Sequence, residues 1–256
     1  MLREAPRWYG NPAMHGSPHP IIPPDLLLAA YRQGVFPMAE ARDDPEVFWV
    51  EPRERAIIPL DGLHVSRSLA KVLRQDRFRV TCDAAFGRVM DECAHPRAGR
   101  DGEESGSWIS HRIQASYVAL HQAGNAHSFE CWLGERLVGG LYGVRFDRVF
   151  AGESMFARED DASKVALAWL VACMKRAGML LLDCQFMTAH LASLGAVEIP
   201  QADYLARVGV SRGEPAMGLA AAHVSFVSEA SSLSVSEAGA SSSPGKLIAQ
   251  SLTQTS

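Results

Sequence analysis

Apolar strand-like runs that alternate with turns and one long helix fill the stretch from Ala126 to Gly195. Its hydrophobic pattern predicts two antiparallel strands, His127 to Leu133 and Arg136 to Val144, joined by a turn at Gly134 and Glu135. The hydrophobic face of a hairpin of this length must be covered by other secondary-structure elements. The stretch therefore predicts a domain that contains a β-sheet.

Two apolar strands in the same stretch end in polar residues. One ends at Glu153, and the other, Leu180 to Leu182, is followed by Asp183 and Gln185. A long amphipathic helix that stops at Gly178 connects them. Strands that are first antiparallel and then joined through a helix predict the α+β class with a mixed sheet. Polar groups at the ends of buried strands indicate a functional site.

The sequence as a whole divides into three regions. Residues 1–60 form a small proline-punctuated subdomain, with a helix capped by Asp25 and stopped by Gly34. Residues 61–208 form the main domain. Residues 209–256 form an extension that is serine-rich from about Ser228, and we expect it to be largely disordered because such a composition buries little apolar surface.

Two features of the main domain each allow a structural and a functional interpretation. A helix capped by Ser66 carries Arg67, Lys71 and Arg74 on one face, which suits either a solvated surface or a phosphate-binding patch. Trp108 follows a polar, glycine-rich loop, where it can cap the core or provide a platform for stacking on a base.

Composition and motifs exclude several classes of protein. The chain has 256 residues, 47% of them hydrophobic, and a net charge of -4, which argues against non-specific coating of nucleic acid. It has neither a run long enough to span a membrane nor a signal peptide, so we expect a cytoplasmic protein. The five cysteines are scattered and His15 and His19 are separated by a helix-breaking GSP, so we predict no metal site. The chain lacks a nucleophile elbow, a P-loop, a dinucleotide fingerprint and an H-E-x-x-H motif.

Several uninterrupted segments between Pro24 and Val208 closely resemble the leucyl/phenylalanyl-tRNA-protein transferase family. They are LLLAAYRQGVFPM, SLAKVLRQDRFRVTCDAAF, SWI, SYVALH, AHSFE, LVGGLYGV, FAGESMF, DASKVAL, LLDCQF and HLASLGAVEIP. The resemblance implies a small N-terminal domain joined to an N-acetyltransferase-like domain. It also implies an enzyme that moves Leu or Phe, and less readily Met, from aminoacyl-tRNA to the N-terminal Arg or Lys of a protein, which marks that protein for degradation. Exchange of an ester for an amide needs no cofactor or metal.

The resemblance assigns roles to the polar strand ends. Gln185 is expected to position the amine and the ester, and Asp183, two residues earlier on the same strand face, to polarise Gln185. Glu153 is expected to hold the donor adenosine or the incoming cationic N-terminus. From the residues alone, Asp183 could instead cap the following helix, and Glu153 could be a surface acid.

The resemblance also implies a donor site. Trp108 is expected to stack on the terminal adenine, and the face formed by Arg67, Lys71 and Arg74 to bind acceptor-stem phosphates. The pocket for the aminoacyl side chain is expected to contain Leu141, Phe150, Met155, Leu167 and Leu182. Met38 departs from the FPW sequence common in the family, and this leaves an acidic N-terminus open as an alternative acceptor.

Two rival functions belong to other classes. One is a non-catalytic protein that binds tRNA ends or protein N-termini on the same scaffold; the presence of both Asp183 and Gln185 argues against it. The other is an acetyl-CoA-dependent acyltransferase, for which the sequence lacks a pyrophosphate-binding turn before a helix.

Overall fold

The computed structural model describes residues 20–95, 97–98, 104–105, 107–236 and 242–253. His15, His19 and most of the loop before Trp108 lie outside these ranges. The helices within them are α1 (Pro24–Arg32), α2 (Arg67–Arg74), α3 (Phe86–Ala94), α4 (His111–Gln122), α5 (Ala162–Ala177), α6 (Ala189–Ser193), α7 (Gln201–Val210), α8 (Leu219–Ser236) and α9 (Pro244–Thr253). The strands are β1 (Phe36–Met38), β2 (Phe48–Val50), β3 (Glu54–Ile58), β4 (Arg79–Cys82), β5 (Arg97–Ala98), β6 (Glu104–Ser105), β7 (Ala126–Leu133), β8 (Arg136–Phe146), β9 (Val149–Ala157), β10 (Leu181–Gln185) and β11 (Val197–Pro200).

A seven-stranded mixed sheet organises the molecule, with the strand order β11-β3-β10-β9-β8-β7-β4. Among the described strands, β9 and β10 alone pair in parallel, and α5 connects them. The other pairs are antiparallel, including the predicted β7–β8 hairpin. The predicted α+β class with a mixed sheet is thus confirmed. β3, which we assigned to the small subdomain of residues 1–60, is an inner strand between β10 and β11.

Helices cover both faces of this sheet, so successive strand residues enter two different cores. In β8, Leu141 packs on the face covered by α2, α5, α8 and α9, and Tyr142 on the face covered by α1, α3, α4 and α7. This arrangement explains why the central strands are apolar almost throughout instead of alternating with polar residues. The strand expected to end at Glu153 continues to Ala157, so Glu153 lies in the middle of β9 between the two layers.

Local sequence signals explain several element boundaries. Ser66 caps α2 through a hydrogen bond from the Leu69 amide, as predicted. Gly139 lets β8 approach α5 closely, because a Cβ there would overlap Ala162. Asp25, expected to be a cap, lies instead within the first turn of α1, since Pro23 occupies the cap position and Pro24 begins the helix.

The C-terminal extension differs from the expected disorder over its described part. α8 and α9 are regular helices, and their Phe226, Ile248 and Ala249 are buried in the core beside α5. Composition misled here because enough apolar residues, although diluted by serine, recur at helical spacing to form a buried side, as Leu219, Ala222 and Phe226 do in α8. Residues 237–241 and 254–256 lie outside the described ranges. No helix in the described part of the chain is long and apolar enough to cross a membrane.

Candidate active site

Two β-bulges lie side by side where β9 and β10 diverge. The last parallel pair joins Ala151 with Asp183. Just beyond it, the β8–β9 register shifts so that Glu153 is an extra residue, and the β10–β3 register shifts so that Cys184 is extra. Bulges redirect side chains and open a sheet locally. They bring Glu153 and Gln185 to face each other at the gap between the strands.

A cavity of about 380 Å³ opens at this gap. Its apolar end is formed by Leu141, Leu167, Leu170 and Leu182, which belong to the core beside α5, and Glu153 and Gln185 supply polar groups. This combination suits a small ligand with an apolar side chain. The lining residues are Phe36, Met38, Trp108, Leu141, Tyr142, Gly152, Glu153, Ser154, Met155, Leu167, Leu170, Leu182, Cys184, Gln185, Phe186, Thr188, His190 and Leu191.

Glu153 is a buried carboxyl group at the centre of a hydrogen-bond cluster. Its Oε1 accepts hydrogen bonds from the Tyr31 hydroxyl and from Gln185 Nε2, both at 2.7 Å, and its Oε2 accepts one from the Tyr117 hydroxyl at 3.3 Å. The two tyrosine hydroxyls also bond each other. Burial raises the pKa of Glu153 to about 7, although the bonds from Tyr31 and Gln185 favour its charged form. The group is therefore poised to exchange a proton near neutral pH.

Gln185 has a left-handed backbone, with φ of 62°. This backbone conformation is costly for a residue with a Cβ. The backbone N–H of Gln185 donates a 2.8 Å hydrogen bond to Asp183 Oδ1, which holds the conformation in place. We expected Asp183 to polarise the side-chain carboxamide of Gln185, because alternation along a strand would place both side chains on one face. The bulge at Cys184 breaks that alternation. The carboxamide bonds Glu153 instead, and Asp183 fixes only the backbone of Gln185.

Asp183 forms a fully buried ion pair with Arg55. Arg55 Nε lies 2.8 Å from Oδ1 and Nη2 lies 2.6 Å from Oδ2, and Tyr204 donates a further 3.0 Å bond to Oδ2. The guanidinium group lies against the rings of Phe36 and Tyr204 and donates to the Gly34 carbonyl. This cluster ties the backbone of the site to the N-terminal part of the chain, and Asp183 neither caps α6 nor reaches the cavity.

Four of the five predicted pocket residues line the apolar end of the cavity, namely Leu141, Met155, Leu167 and Leu182. Phe150 does not. It is fully buried one residue before the last parallel pair, with its ring against Gly143. Leu170, one helical turn after Leu167 on α5, lines the cavity and was missed, although its spacing is a signal that could have identified it.

Trp108 and Met38 also line the cavity, and both pack against the core on the other face of the sheet. The Trp108 carbonyl accepts a hydrogen bond from the Ala39 amide, which fixes the tryptophan beside the end of β1. His190 on α6 also lines the cavity, and burial lowers its pKa, so its ring is neutral near pH 7. Burial likewise raises the pKa of the Cys184 thiol, which stays protonated.

The predicted basic face lies on α2, away from the lining of the cavity. Arg67, Lys71 and Arg74 are exposed, while Leu69 and Leu73 on the opposite side are buried. Within the residues described, none of the three cations has a carboxylate within salt-bridge distance. They are therefore available to an anionic partner.

Sequence reasoning missed three residues that shape the site. Tyr31 and Tyr117 were treated as ordinary helix residues, and Arg55 was not distinguished from other charges of the N-terminal region. A buried tyrosine requires a partner for its hydroxyl, but its identity depends on contacts between residues far apart in sequence. For Arg55 the neighbouring apolar run of β3 was a weak signal, since a charge within a buried strand needs a buried counter-charge.

Comparison with known proteins identifies the family to which these residues belong. Residues 57–209 match the family "Leucyl/phenylalanyl-tRNA protein transferase", and residues 22–53 match "Leucyl/phenylalanyl-tRNA protein transferase N-terminal domain". Proteins named leucyl/phenylalanyl-tRNA--protein transferase include one from Novosphingobium aromaticivorans, 58% identical over 93% of this chain and 98% of that protein, and one from Rhizorhabdus wittichii, 57% identical over 75% and 76%. Neither family match includes α8 or α9. The chain belongs to the leucyl/phenylalanyl-tRNA protein transferase family and is an aminoacyltransferase.

Proposed function

We propose that this enzyme transfers Leu or Phe, and less readily Met, from the 3' end of aminoacyl-tRNA to the N-terminal Arg or Lys of an acceptor protein. The observation that carries the proposal is the Glu153–Gln185 hydrogen bond at the polar end of an otherwise apolar cavity. An aminoacyl ester has the same division, with a side chain at one end and a reactive carbonyl at the other. The new N-terminal residue would serve as the degradation signal.

The donor fits the site in three parts. Its side chain occupies the apolar end beside Leu141, Leu167 and Leu182. The terminal adenine stacks on Trp108, a contact worth about 1 to 3 kcal/mol. The acceptor stem binds the exposed cations of α2 through its phosphates. Selectivity among apolar side chains is then modest, because one methylene is worth about 1 to 3 kcal/mol in such a pocket.

The reaction is aminolysis of an ester. The free α-amine of the acceptor attacks the carbonyl carbon, the new C–N bond forms, and the bond from that carbon to the ribose 3' oxygen breaks. The tRNA leaves with a free 3' hydroxyl group, and the proton of the attacking nitrogen must be removed. Because an amide replaces a more reactive ester, the exchange proceeds downhill without ATP.

Glu153 is the group that accepts this proton. The α-amine has an ordinary pKa of about 7.7 to 8.0 and is mostly protonated at pH 7. A carboxyl with a pKa of about 7 is partly ionised at the same pH, so it can attract the ammonium group and act as a general base. Tyr31 donates to its Oε1 and stabilises the charged form.

Gln185 positions the reactants, and Asp183 positions Gln185. One N–H of the carboxamide is held by Glu153, which leaves the second N–H and the carbonyl oxygen for the ester and the amine. Asp183 is a positioning residue because it fixes the strained backbone of Gln185 without reaching the cavity.

A transfer assay tests the proposal. Purified protein is mixed with radiolabelled leucyl-tRNA and peptides that begin with Arg, Lys, Asp or N-acetyl-Arg. We expect label in the Arg and Lys peptides alone. Label in the Asp peptide would overturn the acceptor assignment. Binding of the tRNA without transfer to any peptide would identify a non-catalytic binder, and acetylation of the peptides from labelled acetyl-CoA would identify the other acyltransferase.

A further inference from the structure

We infer that the C-terminal helix α9 is the support that holds the basic helix α2 in position for the acceptor stem. This inference rests on the proposed role of α2. It assigns to the extension beyond residue 209 a part in tRNA affinity, although none of its described residues lines the cavity.

The covered side of α2 is built jointly with α9. Leu69 and Leu73 are 2% exposed and belong to the same apolar cluster as Ile248 and Ala249 of α9. α2 packs against α9 and α5, while α9 also packs against α5 and α8. α9 thus lies under the helix whose outer face carries the three cations. Without it, the apolar side of an eight-residue helix would lose much of its packing.

The approach of the two helices requires glycine. Gly245 is buried in the first turn of α9, and a Cβ at this position would overlap the carbonyl oxygen of Leu73. Its amide donates a 2.8 Å hydrogen bond to Asp76 Oδ1, immediately beyond the end of α2. Asp76 itself has a left-handed φ of 44°. The C-terminal end of α2 is therefore clamped against the start of α9.

α9 is in turn anchored to the helix that forms part of the cavity. Lys175 of α5 reaches the Ser251 carbonyl of α9 at 3.4 Å and pairs with Asp61, shortly before α2, at 2.7 Å. α5 also contributes Leu167 to the cavity. The clamp therefore fixes the position of the phosphate-binding face relative to the aminoacyl pocket, and phosphate contacts depend on such register.

A matched pair of glycine variants and two donors test this. Gly245→Ala adds one Cβ at the contact, and Gly209→Ala in α7 adds one where nothing lies within 4 Å. Each is assayed with leucyl-tRNA and with a leucyl ester of adenosine, which has no acceptor stem. We expect Gly245→Ala to raise KM for the tRNA roughly tenfold and to reduce the salt dependence of tRNA binding by about one phosphate contact or more. With the adenosine ester, kcat and KM should match the unmodified enzyme, which also shows that the variant is folded.

Two further variants distinguish failure of the inference from failure of the proposed role of α2. Asp76→Asn keeps the side-chain oxygen that accepts the hydrogen bond from the Gly245 backbone N–H, and it should behave like the unmodified enzyme. Asp76→Ala removes this oxygen and should resemble Gly245→Ala. If Lys71→Ala raises KM for tRNA but Gly245→Ala does not, α2 binds tRNA and the role of α9 is overturned. Equal losses with both donors in Gly245→Ala would also overturn it. If Lys71→Ala changes neither KM nor the salt dependence, the assignment of α2 fails and the inference fails with it.

Discussion

The Gln185 carboxamide donates a 2.7 Å hydrogen bond to the Glu153 carboxyl across the gap between β9 and β10. The two residues are 32 positions apart in the chain, and both lie at breaks in strand register. Their contact joins a group that can exchange a proton near neutral pH to one that can orient an amine and an ester.

Replacement of Glu153 by Gln should remove the general base while preserving the size of the side chain. We expect kcat for transfer to fall roughly 10²- to 10⁴-fold, with little change in tRNA binding. In the unmodified enzyme, kcat should rise as pH increases through about 7, because the carboxyl becomes ionised. A pH profile of kcat measures this rise, and its persistence in Glu153→Gln would contradict the assignment.

Glu153 should also make stability depend on pH. Its pKa is raised from 4.5 to about 7 in the folded protein, so the folded state binds a proton that the unfolded state releases. Stability from this group is fully present below about pH 4.5 and is lost as pH rises through about 7. Glu153→Gln should therefore gain stability over the unmodified protein between pH 5 and pH 8, by at most about 3 kcal/mol. Urea unfolding at the two pH values measures the difference, and a constant difference would refute the buried titration.

Tyr31→Phe should shift the pH dependence of transfer to higher pH. The lost hydroxyl donates to Glu153 Oε1 and favours its charged form, and such a bond is worth about 1.5 to 3 kcal/mol. The midpoint of the kcat profile should move upward by about one pH unit or more. Tyr204→Phe is the matched control, since that hydroxyl bonds Asp183 instead. A similar shift in both variants would mean that the tyrosines act only through folding.

Arg55→Met should destabilise the protein strongly because it leaves Asp183 buried without its cation. Breaking a buried pair in this way costs about 3 to 5 kcal/mol. The double variant Arg55→Met with Asp183→Asn should recover part of that loss, since the uncompensated charge is gone. Chemical unfolding measures the free energy of unfolding of the single and the double variant, and the two values are compared. Equal stability of the two would show that the charge pair is not the source of the cost.

The apolar end of the cavity should determine the choice of donor. Leu167→Ala enlarges the space for the side chain and should shift the ratio of kcat/KM between phenylalanyl-tRNA and leucyl-tRNA toward Phe by about tenfold. Phe150→Leu, a core change outside the lining, should leave the ratio unchanged even if it lowers stability. A competition assay with both labelled donors gives the ratio directly. If Phe150→Leu changed the ratio and Leu167→Ala did not, the side-chain pocket would have been assigned to the wrong residues.

Local patterns in the sequence predicted most elements around the site because their causes are local. The cap at Ser66 correctly marked the start of α2, and the apolar runs on each side of Gly134 predicted the β7–β8 hairpin. The disorder expected for α8 and α9 came from their serine-rich composition instead, yet apolar residues such as Phe226 pack in the core. The spacing of apolar residues therefore predicted helices and strands better than the overall composition of a segment did.

The geometry of the site could not be predicted because it depends on pairing between distant segments. A bulge at Glu153 exists only relative to β8, and the left-handed Gln185 only relative to Asp183 and β3. The pair Arg55–Asp183 joins residues 128 positions apart. Sequence spacing placed Asp183 and Gln185 on one strand face, but no local signal showed that the strand would be interrupted between them.

The position of β3 makes transfer a property of nearly the whole chain. β3 enters the sheet between two strands from the C-terminal half, and its Arg55 holds the carboxylate that sets the backbone of Gln185. During synthesis, residues 54–58 emerge long before Leu181–Gln185 and Val197–Pro200, and they have no place in the sheet until those strands arrive. A C-terminal fragment that begins after β3 would therefore contain Glu153 and Gln185 but lack the Arg55 that pairs with Asp183. During synthesis, the site is complete only once β10 has emerged and paired with the β3 that was waiting for it.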